Sequence, residues 1–155
     1  MSQFTDLFEY NRWANALVLE ATGRMSPEAL TAPMPELGGS TFGLLEHLER
    51  VQANFFGMLT GSGRPPHVEG RTYEQVAAAL RQSDDDFLAA IPSFEGRLDD
   101  LVEVAWFKRS FGVGQCLVQV ATHSVQHRAG ISAGIARGGI EPKNLDYIIW
   151  LSEFR

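Results

Sequence analysis

From Phe4 onward the apolar residues Leu7, Phe8, Ala14, Leu17, Val18 and Ala21 recur at three- and four-residue steps, predicting a first helix with one apolar stripe that stops at Gly23. Asn11 falls inside that stripe, so its amide is expected to bond to a neighbouring helix. Residues 26–39 hold Pro27, Pro33 and Pro35 and read as a connection crossing from one end of a bundle towards another. Ser40 or Thr41 then caps a second helix with Leu44, His47, Leu48, Val51, Phe55 and Met58 on its inward face, closed by Gly61 and Gly63.

Thr72 followed by Gln75 has the spacing of a capping box, and Val76, Ala79, Leu80, Ser83, Phe87 and Ile91 carry a third helix up to Pro92. Asp84 to Asp86 reads as a solvated face of that helix. The stretch from Leu98 to Phe107 is able to extend but has no evident strand partner, so it reads as a long connection packed on the bundle. A fourth helix is expected from about Ser110 to Arg137, with Val113, Cys116, Leu117, Val120, His123, His127, Ile131 and Ile135 on one face. After Pro142, Asn144 is placed to cap a short terminal helix. The pattern as a whole predicts an all-α fold: one helical-bundle domain over residues 1–155, with four long helices, a long connection packed on them and a short C-terminal helix.

Composition supports a compact chain, since 155 residues at 45% hydrophobic bury roughly 70% of the unfolded surface. Cys116 is the only cysteine, which removes any intramolecular disulfide and makes a cytoplasmic location the default expectation. The first ten residues show no secretion signal, and no run of about 18 apolar residues occurs, so no membrane span is expected. A net charge of −6 with scattered basic residues argues against nucleic acid as a partner.

Against that background the histidines stand out. His123 and His127 are four apart, about 40° from one another around a helix, near enough to share a metal. Spacing alone is a weak signal, but both fall on the apolar stripe, as does His47 on another helix. A metal would satisfy one nitrogen of each ring; separate core histidines with their own partners are the other reading. His-Glu-x-x-His zinc protease chemistry is excluded because the stretch reads His123-Ser124-Val125-Gln126-His127, without the glutamate. A di-iron bundle is disfavoured because no glutamate stands three residues before any of these histidines. Glu46 points about 100° away from His47 and reads as a surface charge. Cys116 is about 10 Å of helix from His123 and reads as a small buried hydrophobe, while His67, in a proline-rich loop, reads as exposed.

With these residues in view, the chain resembles the DinB/YfiT-like superfamily, helical-bundle proteins to which metal dependence is ascribed. The resemblance lies in Tyr10-Asn11-Arg12-Trp13-Ala14-Asn15, Leu44-Leu45-Glu46-His47-Leu48, His123 through Gly130, and the ending Gly139-Ile140-Glu141-Pro142 to Leu145-Asp146-Tyr147. It implies a four-helix bundle with a long crossover connection, and a three-histidine site with His47, His123 and His127 as ligands of one divalent transition metal, zinc or nickel. Three imidazoles leave a position open for water or substrate. Relatives in the superfamily include low-molecular-weight thiol-dependent transferases and a mycothiol-dependent maleylpyruvate isomerase. The resemblance therefore implies a metal-dependent small-molecule transferase that uses an activated thiol, with a hydrolase using metal-bound water beside it. A non-enzymatic metal or small-ligand binder and a purely structural bundle are the alternatives. A homodimer is also expected, and Tyr10, Asn11, Trp13 and Trp106 are candidates to line a pocket by the histidines.

Overall fold

The computed structural model describes residues 2–155. Four long helices make the bundle: α1 (Gln3–Thr22), α3 (Thr41–Thr60), α4 (Tyr73–Glu95) and α5 (Val113–Arg137). Shorter elements join them: α2 (Pro27–Thr31), a 3-10 turn (Pro35–Leu37), strands β1 (Leu101–Val104) and β2 (Arg109–Gly112), and α6 (Tyr147–Phe154). No helix among the described residues is long and apolar enough to cross a membrane.

Polar side chains start the helices as local chemistry requires, since the first backbone N–H groups have no partner within the helix. Ser2, Ser26 and Ser40 accept from the backbone N–H groups of Thr5, Ala29 and Gly43. At Thr72 the capping box is complete: its hydroxyl accepts from Gln75 N–H at 3.3 Å, and Gln75 Oε1 accepts from Thr72 N–H at 2.8 Å. Helix α4 passes Pro92 and ends at Glu95, one turn beyond the expected stop. So near the end the proline forfeits little of the hydrogen-bond ladder, and buried Phe94 holds the last turn down.

Helix α1 runs antiparallel to α4, as the pairs Phe8–Phe87 and Thr22–Tyr73 show. Helix α3 runs antiparallel to α5, with Thr41 beside Gly134 and His47 beside His123. Because Gln52 meets Asp84 and Phe56 meets Phe87, α3 and α4 are parallel, and the order is up, down, down, up. Two consequences correct the sequence reading. Residues 26–39 stay at one end of the bundle, where α2 and the 3-10 turn carry the chain across it. The end-to-end crossover is residues 61–72, which reach roughly 40 Å when extended, against about 30 Å for a twenty-residue helix. Arg71 at its far end pairs with Glu46 and Glu49 near the start of α3.

A further correction concerns residues 98–112. Leu101–Val104 does have a strand partner, Arg109–Gly112, in an antiparallel hairpin. The partner lies in residues assigned to the start of the fourth helix, so α5 begins at Val113. Lys108, at φ 52°, is the only non-glycine described residue in the left-handed region and closes the hairpin turn. Asn144 likewise does not cap α6: its Oδ1 accepts from Asp146 N–H in a turn, and the helix starts at Tyr147.

The interior holds two large apolar clusters separated by a polar layer, with a small third cluster of Tyr10, Ala14 and Trp150 beneath α6. One gathers Val18, Leu19, Leu44, Leu48, Leu80 and Ile131, and the other Phe8, Phe55, Phe87, Phe94, Val113 and Leu117. Between them lie Asn11, Asn15, Gln52, Asp84, Ser124 and Arg128, all buried. Above that layer α3 and α5 come very close. A Cβ built on Gly134 would lie 2.0 Å from Thr41 Oγ1, and one on Gly130 would lie 3.0 Å from Leu44 Cδ1. Gly134→Ala should therefore cost about 1–3 kcal/mol through overpacking. Gly96→Ala, where nothing lies within 4 Å of the added atom, should stay within about 0.5 kcal/mol of the parent. Chemical denaturation of both variants checks this, and equal stability of the two would contradict the packing described.

Candidate metal centre

His47 sits on α3 and His123 and His127 on α5, one helical turn apart, so the antiparallel pairing brings the three rings to one groove. The Nε2 atoms of His47 and His123 are 3.2 Å apart. Ring centroids are separated by 5.2 Å for His47–His123, 4.6 Å for His47–His127 and 4.3 Å for His123–His127. One nitrogen from each ring falls within 4.8 Å of the others. Zinc–nitrogen bonds of about 2.0–2.1 Å in a tetrahedral site put ligand nitrogens roughly 3.3 Å apart, so the His47–His123 pair already has the required spacing.

The rings are half-buried rather than buried, at the rim of the apolar stripes instead of their centre. A ligand in the groove therefore has access from solvent. Partial burial still shapes their protonation. It lowers His123 to about 4, helped by His127 and His47. Burial and the Arg50 guanidinium lower His47, and burial and His47 lower His127. All three are neutral at pH 7, each with a lone pair for a metal. Arg50 Nη2 lies 3.4 Å from His47 Nδ1, where it donates to the tautomer that carries its proton on Nε2. To hold a metal through Nε2, His47 would carry its proton on Nδ1 instead, which would release Arg50 from the contact. The donor set thus fits one divalent transition ion of nitrogen preference.

His67 is exposed in the crossover loop and stands outside this cluster. Glu46 is engaged by Arg71 at 3.5 Å. Cys116 is buried in the lower apolar cluster, where burial raises its thiol pKa. The expected pocket-lining residues take other roles. Tyr10 donates to the Leu145 carbonyl at 2.8 Å, Asn11 joins the polar layer, Trp13 packs against Phe154 of α6, and Trp106 meets Phe55 edge-on at the hairpin.

Directly behind the histidines lies what the sequence reading missed. Arg128, next to His127, is 1% exposed. Its Nη1 donates to Asn11 Oδ1 at 2.6 Å and Asn15 Oδ1 at 2.8 Å, and its guanidinium stacks over the Tyr10 ring at 5.3 Å. The same two asparagines turn their Nδ2 groups to Asp84 Oδ1, at 3.2 and 3.0 Å, where Gln52 Nε2 also donates at 2.8 Å. Two amides thus stand between a buried cation and a buried carboxylate and link all four long helices. Asp84, read from sequence as solvated, is 3% exposed. Burial raises its pKa to about 6 against the lowering by Gln52, Asn15, Arg128 and Asn11. Periodicity did contain a signal: Leu117, Ala121, Ser124, Arg128, Ile131 and Ile135 form one helical stripe with Arg128 at its centre.

The DinB family model matches residues 1–153, and the chain belongs to the DinB family. Among solved structures it is similar to that of a DinB-like protein (YjoA) from Bacillus subtilis, at a TM-score of 0.72 and 14% identity over 94% of this chain and 99% of that one. That likeness shows the fold, an all-α bundle. No curated protein matches the chain.

The charged layer makes a signed prediction. Arg128→Met leaves the Asp84 carboxylate buried without its cation, which should destabilise the fold by about 3–5 kcal/mol at pH 7. With Arg128 gone, the folded-state pKa of Asp84 rises further above its unfolded value of 3.8, so the variant's folded state takes up its proton at higher pH than the parent's, and the loss shrinks as pH falls towards about 6, where the parent's Asp84 is protonated too. Urea unfolding of parent and variant at pH 7 and pH 5 checks both magnitude and sign. A loss independent of pH would contradict the Asp84–Arg128 coupling.

Proposed function

We propose that this protein is a metal-dependent enzyme in which His47, His123 and His127 hold one zinc or nickel ion and a small-molecule substrate reaches it through the α3–α5 groove. The observation that carries this reading is the convergence of three neutral, half-exposed imidazoles in one groove. A purely structural site closes its metal with four protein ligands, whereas here no fourth histidine, cysteine or carboxylate among the described residues joins the cluster. Bound there, the metal supplies Lewis acidity that lowers the pKa of a thiol or of water. The superfamily resemblance favours the thiol, so the reaction proposed is transfer of a low-molecular-weight thiol, a second small molecule, to an electrophilic carbon. Ester or amide hydrolysis is the second reading.

The chain's own residues have definite tasks in this scheme. Burial keeps the histidines deprotonated, so protons do not displace the metal near neutral pH. The polar layer holds the α5 segment that carries His123 and His127 against α1 and α4, because Arg128 follows His127 directly. Arg50, once released from His47, places a cation beside the groove for an anionic group of thiol or substrate.

Zinc- or nickel-loaded protein is to be assayed with glutathione, cysteine, bacillithiol and mycothiol against monochlorobimane, and with p-nitrophenyl esters. The expected result is thiol substitution, a C–S bond forming as C–Cl and S–H break with release of chloride and a proton, at least a hundredfold faster than the same concentration of free metal and abolished in folded His123→Ala. Ester turnover alone moves the assignment to hydrolase, and a rate equal to that of free metal in every assay overturns the enzyme reading. Metal affinity should fall as pH drops towards 4, where protons take His123. Zinc titration across that range measures it.

A further inference from the structure

Along the helix axis, the groove that holds the three rings is closed at one end. Beyond His127, the next inward positions on α5 are Gly130 and Gly134, and Leu44 and Thr41 of α3 fill the space over them. In the other direction Gln119 stands one turn from His123, about 6 Å along the helix, and Cys116 two turns away, about 10 Å. Both border a cavity of about 300 Å³ walled by Phe55 of α3, Val104, Phe107 and Phe111 of the hairpin, and Gln115 of α5. The walls are mostly aromatic and aliphatic, and no charged side chain lines them. A dry apolar cavity of about 150 Å³ suffices for benzene, so this one takes an aryl group or short alkyl chain up to roughly twice that size.

We propose that this cavity receives the apolar part of the substrate whose polar, reacting end lies at the three histidines. The proposal rests on the reading of those histidines as a metal site and names the substrate class: a small amphiphile with one polar head and an aryl or alkyl tail reaching about 6–10 Å from it. Three features select this occupant. The cavity shares the α5 stripe with His123, the groove is blocked on the other side, and the lining offers no counter-charge for a charged tail, its two amides, Gln115 and Gln119, standing at the mouth. Gln115 and Gln119 are exposed and mark the mouth, and Cys116, with 2% exposure and a thiol pKa raised by burial, serves as apolar wall rather than nucleophile. The hairpin, absent from the sequence reading, thereby gains a role: it supplies half of a specificity pocket.

Straight-chain hydroxamic acids combine a metal-binding head with a tail of chosen length. Calorimetric titration of zinc-loaded protein with the series from acetohydroxamic to octanohydroxamic acid should show affinity rising up to about fourfold per methylene, then levelling as the cavity fills. Gln119→Trp, a change at an exposed position that covers the mouth, should flatten the series while leaving acetohydroxamic acid unchanged. Cys116→Phe, which fills the cavity from its wall, should do the same. An affinity independent of chain length, or the same rise in both variants, overturns the proposal. If zinc and acetohydroxamic acid both fail to bind, the metal reading has failed and the cavity is read on metal-free protein with 1-heptanol. Heptanol binding that both variants lose upholds the apolar site, and absence of binding removes it.

Discussion

Gly134 has no side chain where Thr41 comes closest, and Gly130 is bare where Leu44 packs, so side chains of α3 rest directly on the α5 backbone just beyond the histidines. That contact fixes how far apart the two helices run over the next two turns. His47 depends on it, because an imidazole carried on a different helix reaches His123 Nε2 at 3.2 Å only if the helix axes stay close. The groove below depends on it as well, since the helices are pinned at one end and the hairpin fills the other. The pairing of α3 with α5 is thus both packing and site construction.

The buried polar layer is the second constraint, and it works against stability as much as for it. Placing a guanidinium and a carboxylate in the interior costs several kcal/mol per ion before any contact is made. Asn11 and Asn15 offset that cost by offering a carbonyl to Arg128 and an amide N–H to Asp84 at once. An apolar layer of the same volume would tolerate sliding of one helix past another. This layer does not, because a one-turn shift of α1 would place Val18 or Phe8 against a buried charge. The histidines lie at the same level of the bundle, and the segment that carries two of them is held in register by its neighbour Arg128.

Much of this was legible in the sequence. The four long helices follow from their apolar stripes and caps, and the histidines follow from spacing on those stripes. The hairpin was not legible, because Leu101–Val104 and Arg109–Gly112 are four residues each and the second runs straight into α5 with no breaker but Gly112. Direction was hidden too: residues 61–72 look like an ordinary loop, and the parallel pairing of α3 with α4, with Arg71 against Glu46 and Glu49, shows that they span the bundle. Arg128 and Asp84 escaped notice because a charged residue on an exposed-looking segment is solvated far more often than buried. Each looked ordinary alone, and only the facing pair of asparagines on α1 gives them a reason to be inside.

The most direct test of the account is the metal content of untagged protein prepared without added metal, measured by elemental analysis beside folded His47→Ala and His123→Ala variants. The account predicts close to one zinc or nickel per chain in the parent and almost none in either variant. A folded parent that carries no metal and takes up neither zinc nor nickel on titration would contradict it.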